Sequence, residues 1–143
     1  MEEYVTREIA ELLRELDFDG FCMAYYREET EELHLCSEKM DKKSLENREY
    51  KYNSTHQYKL RLYLAPTQQM AKAWLREVHQ IYIRDDYRIF ETEKMSYRDY
   101  YIEAKNMKNN NLLYYGAFDD LSFGVNRVIK YMLERIKERR DKN

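Results

Sequence analysis

Backbone punctuation is scarce in this chain: its 143 residues include one proline, Pro66, and three glycines, Gly20, Gly116 and Gly124. Glycine takes left-handed turn geometry without strain, and proline presets a turn. With so few of either, most loops here must be built from Asn, Asp and Ser. Apolar residues make up 43% of the chain and charged residues 36%, a profile that is highly charged but still globular. The length is that of a single domain, residues 1–143, able to bury a core without staples.

Three amphipathic helices stand out. Val5, Ile9, Leu12, Leu13 and Leu16 recur at helical spacing, with Thr6 as a cap and Gly20 as a left-handed stop. Met70, Ala71, Trp74, Leu75 and Val78 form a second stripe that begins after Ala65-Pro66-Thr67. The third runs from Asp119 or Asp120 to about Arg139, through Leu121, Val125, Val128, Ile129, Met132, Leu133 and Ile136.

Between the helices lie strand patterns. Phe21–Tyr26 and Leu33–Cys36 form a hairpin across an acidic turn, and Tyr58–Leu64 alternates with Leu60, Leu62 and Leu64 on one side. Gln80–Arg84, Tyr87–Glu91, Tyr100–Lys105 and Leu112–Tyr115 supply further short strands, with a turn at Lys108–Asn111. Residues 37–57 are polar and aperiodic and read as a long loop; 140–143 reads as a frayed tail. The expected fold is α+β, a two-layer domain with one small antiparallel sheet and three helices, in the order α-β-β-loop-β-α-β-β-(β)-α.

The acidic start Met1-Glu2-Glu3 is unlike a signal peptide, and no apolar run is long enough to span a membrane. Cys22 and Cys36 lack a CxxC spacing and are expected to be reduced, which places the chain in the cytoplasm. Its net charge of −2 hides a polarity. Residues 1–50 hold fifteen acids and seven bases; residues 121–143 hold seven bases and three acids. The basic end suits a helix C-terminus, or an anion.

The segment Ala65-Pro66-Thr67-Gln68-Gln69-Met70-Ala71-Lys72-Ala73-Trp74-Leu75-Arg76-Glu77-Val78-His79, followed by Ile81-Tyr82-Ile83, resembles a recurrent stretch in short proteins of gut Bacteroidetes, their phages and mobile elements. The helix leading into Phe18-Asp19-Gly20-Phe21-Cys22 and the closing helix resemble the two ends of the same proteins. The resemblance implies a bacterial or phage origin and a cytoplasmic location. It implies no activity and no catalytic residue.

Catalytic constellations are sparse. His34 and Cys36 share a strand face, but two ligands do not make a metal site, and His56 and His79 lie far away in sequence. Cys22 lies in an apolar strand, the setting of an inert thiol. No glycine-rich phosphate loop is present. Glu103-x-Lys105 on one strand, with Asp85-Asp86 on another, is the residue pattern of a Mg²⁺-dependent nuclease. Strand tyrosines among bases fit nucleic-acid binding, against which stands the negative net charge. Fifteen tyrosines and little catalytic chemistry favour a non-enzymatic interaction module, engaging a protein partner or a second copy, without a cofactor. Lys59, Arg61, Tyr63, Tyr82 and Arg84 form the expected interaction surface. In that reading, the acidic N-terminal half of one subunit pairs with the basic end of another.

Overall fold

The computed structural model describes residues 3–142; Met1 and Glu2 of the acidic start, and Asn143 of the tail, lie outside them. The fold is α+β. In chain order the elements are α1 (Arg7–Glu15), β1 (Cys22–Arg27), β2 (Leu33–Met40), α2 (Lys42–Asn53), β3 (Leu62–Leu64) and α3 (Gln68–His79). Then come β4 (Ile81–Glu91), β5 (Ser96–Asn106), β6 (Leu112–Phe118) and α4 (Leu121–Asp141).

The single expected sheet is instead two antiparallel three-stranded sheets, ordered β2-β1-β3 and β4-β5-β6. One continuous cluster of buried side chains joins them, drawing Ile9 and Leu13 from α1, Leu75 from α3, Ile102 from β5 and Ile129 and Leu133 from α4. The three expected stripes are thus core faces, except that Val78 and Leu121 are exposed. The last helix continues through Asp141, so residues 140–141 are helical.

Left-handed turns fall on Asp17, Gln80 and Asn110, with φ of 62°, 58° and 60°, and on no glycine. Gly20 therefore does not stop α1; Asp17 does, three residues earlier. Asn and Asp tolerate this geometry better than most residues. Gly124 serves packing instead. A Cβ there would lie 2.7 Å from Ile102 Cδ1 and from the Phe118 ring, so its absence lets α4 approach the second sheet.

The resemblance segment is a structural junction. Thr67 caps α3 by accepting from the Met70 N–H at 3.2 Å. The Pro66 carbonyl accepts from the Val5 N–H at 3.1 Å. The buried Gln68 side chain donates to the Ser122 carbonyl at the start of α4, at 2.9 Å. Three helix starts are tied together here by groups that burial obliges to pair.

Residues 37–57 are not one long loop; only Asp41 and residues 54–57 lie outside helix and strand. The rest complete β2 and form α2, which buries only Leu45 and Glu49. Polar side chains hold this helix to the free edge of the first sheet. Glu49 accepts two bonds from Arg14, at 2.7 and 2.9 Å, and one from the Leu62 N–H at 2.7 Å. Arg14 in turn donates to the Leu62 carbonyl. One turn on, the Asn53 amide accepts from the Leu60 N–H at 2.6 Å and donates to the Leu60 carbonyl at 3.1 Å. The outward backbone groups of residues 60 and 62 meet side chains where a fourth strand would otherwise bind.

Glu49→Ala strips this edge and leaves Arg14 unpaired, and should cost about 3 kcal/mol of unfolding free energy in denaturant titrations. Asn53→Ala should cost about 1 kcal/mol. Gly124→Val should cost about 1–3 kcal/mol by overpacking. Glu49→Ala within experimental error of wild type would refute the edge clamp.

Candidate interaction surface

The second sheet has two unlike faces. Register opposes Ile83 to Ala104 and Asp85 to Ile102, and this face lies against α3 and α4. Asp85 pairs there with Lys72 of α3 at 3.3 Å. The opposite face has no helix over it. Strand alternation puts Tyr82, Arg84, Asp86, Arg88 and Phe90 of β4 on it. From β5 come Tyr97, Asp99, Tyr101, Glu103 and Lys105, and from β6 comes Tyr115.

These side chains form an ordered surface. Arg88 lies 5.1 Å from the Tyr101 ring centre and 5.9 Å from that of Phe90. Phe90 stacks on Tyr97 at 5.0 Å, and Tyr101 on Tyr115 at 6.1 Å. Arg84 stands opposite Glu103 and 3.8 Å from Asp86. Residues 84–88 with Tyr101, Glu103, Lys105 and Tyr115 line a shallow concavity of about 510 Å³.

β4 and β5 also outrun β6, which pairs only with residues 100–105 of β5. The segment from Tyr87 to Asp99 is thus a two-stranded ribbon with nothing on its far side. Tyr87 is 57% exposed, and Ile89, Met95 and Tyr97 are about as open to solvent. Asp85-Asp86 does not break the strand, because alternation turns one carboxylate to each face.

The expected surface residues divide. Tyr82 and Arg84 lie on the open face. Lys59 and Arg61 are exposed on the approach to β3, and Lys59 donates to the Asn53 carbonyl at 3.2 Å. Tyr63 is only 7% exposed, a core residue that shows just an edge in the concavity beside Arg61. Alternation failed there because all three residues of β3 are buried. The concavity beside Arg61 shares no lining residue with the one beside Arg84, so the five residues do not form one site. Arg88, Phe90, Tyr97, Tyr101 and Tyr115 were missed, although the same alternation that marked Tyr82 and Arg84 runs through them.

The charge polarity of the chain is used internally. Lys130 of α4 pairs with Glu8 of α1, and Lys137 pairs with Glu15 at 2.8 Å. The acidic N-terminal helix and the basic C-terminal helix thus pair in part within one subunit.

Nuclease-type residues do gather, since Asp86, Glu103 and Lys105 share the open face, while Asp85 turns away to Lys72. Both carboxylates already face Arg84, which a metal ion would have to displace. Among the described residues no three His, Cys, Asp or Glu side chains converge as a metal set. Burial pushes the Cys22 thiol up to about 12 and raises that of Cys36, the reverse of an activated nucleophile. His34, His56 and His79 each lie against a different aromatic ring, those of Tyr25, Tyr52 and Trp74. Among the described residues no helix is long and apolar enough to cross a membrane. Compared with protein-family models, with curated proteins and with solved structures, the chain finds no match.

Burial disfavours the charged form of His79 and lowers its pKa below the ordinary 6.5. The unfolded chain therefore binds this proton more tightly. Stability is full above 6.5 and falls as the pH drops from there through the lowered value. His79→Phe should flatten this part of the curve of thermal midpoint against pH, below 6.5. Parallel curves for variant and wild type would contradict it.

Proposed function

We propose that this chain is a non-enzymatic interaction module that associates with a second copy through the open face and projecting ribbon of its second sheet. The ribbon carries the argument. Two strands alone are marginal in water, and Tyr87, Ile89, Met95 and Tyr97 expose apolar surface that a partner would cover. Arginine and tyrosine are also the side chains that dominate interface cores.

The occupant is a second copy because the face complements itself. Arg84, Arg88 and Lys105 are matched in number by Asp86, Asp99 and Glu103, with the signs alternating along β4. A two-fold axis can set charges of opposite sign against each other across such a face. The same balance ranks nucleic acid lower, since phosphate binding draws on a positive excess. The nuclease reading ranks lowest, for the arginine beside its carboxylates. Two free thiols are in keeping with a reducing, cytoplasmic setting.

Light scattering over a concentration series should give a mass approaching twice the 17.8 kDa chain. Ile89→Glu and Tyr97→Glu change exposed residues on opposite faces of the ribbon, so each should yield a folded monomer with the wild-type circular-dichroism spectrum and a thermal midpoint that no longer depends on concentration. A wild-type monomer at every concentration, or a dimer indifferent to both changes, would sink the proposal.

A further inference from the structure

A second concavity, of about 320 Å³, lies where the end of α3, the β5–β6 turn and the last turns of α4 meet. It shares no lining residue with the open sheet face, so a ligand here is independent of self-association through that face. Its size is at the small end of the range for organic-ligand pockets, about 300–1,000 Å³.

The floor is aliphatic, made by buried Ile81 and Met132 with half-buried Leu113 and Ile136. The rim is cationic, with Arg135, Arg139 and Arg140, and no lining residue is acidic. In a chain with more acids than bases, a cavity with three guanidinium groups and no carboxylate is strongly selective by charge. Two of the three are partly engaged. Arg140 donates to the Glu15 carbonyl and lies 3.4 Å from Asp141; Arg135 lies over the Tyr131 ring and 4.0 Å from Glu138. Arg139 has no ion-pair partner among the described residues. The wall also holds the His79 imidazole, whose Nε2 is buried without a hydrogen-bond partner.

We infer that this cavity binds a small organic carboxylate, its apolar body on Ile81, Leu113 and Ile136 and its anionic end at Arg139 and Arg135. A guanidinium fork fits a carboxylate in two parallel bonds, and lends strength where the apolar walls exclude water. The aliphatic floor separates this ligand from inorganic anions, which would gain nothing from it. The basic run that closes the sequence is thereby divided: Lys130 and Lys137 brace α1, while the arginines ring a pocket.

Titration of the full chain with octanoate, followed by NMR, should shift the His79 and Ile136 signals saturably. Octanol and acetate should each bind about tenfold or more weakly, and octylamine should not bind, because each lacks one half of the match. Arg135→Gln with Arg139→Gln, both on the exposed side of α4, should weaken octanoate about tenfold while the thermal midpoint stays unchanged. Equal binding of octanol or octylamine would reduce the cavity to an apolar patch and overturn the inference. Equal binding of acetate would reduce it to surface charge, with the same consequence. No saturable shift up to about 10 mM octanoate, or full affinity in the double variant, would also overturn it.

Discussion

The Arg14–Glu49 pair holds the first sheet closed. β3 is three residues long and is paired on one side only, with β1. Its other edge would present bare amide and carbonyl groups, the usual template for unwanted strand addition. Arg14 reaches that edge from α1 and Glu49 from α2, and the two also bind each other as a bidentate pair. The hydrogen bond to Glu49 raises the Arg14 pKa, so the guanidinium stays charged at every working pH. Without this clamp, α2 would rely on Leu45 and on the Asn53 bonds to residue 60.

That explains which elements could be seen in the sequence. α1, α3 and α4 bury apolar stripes, and a stripe is visible from spacing alone. α2 is fastened by Glu49 and Asn53, two polar residues one turn apart, and hydrophobic periodicity cannot register that kind of attachment. Alternation misjudged β3 for a related reason. It assumes one wet face, whereas Tyr63 lies in the core and hydrogen-bonding partners occupy the strand's edge. The division into two sheets was invisible because strand pairing is a long-range choice that no local window encodes. On the open face, Tyr82 and Arg84 were legible from alternation, while their companions on β5 and β6 became neighbours only through register.

Charge is distributed with more purpose than its net value conveys. Glu8 and Glu15 of α1 pair with Lys130 and Lys137 of α4. Such exposed pairs contribute little energy singly, but they orient two helices that also share the core. Removing these charges from the account leaves two unlike surfaces. One carries charges of both signs and is rich in aromatic rings; the other has arginines and no carboxylate around an aliphatic floor.

The two sheets also differ in how far along the chain they reach. β4, β5 and β6 follow one another through short turns and pair in sequence order. The first sheet instead sets β3 beside β1, joining residues 62–64 to residues 25–27 across an intervening strand and helix. Closing the longer loop costs more conformational entropy, and that cost falls due before the pairing can return any stability. The C-terminal meander therefore meets the smaller entropic barrier, and the N-terminal sheet carries the higher contact order of the two.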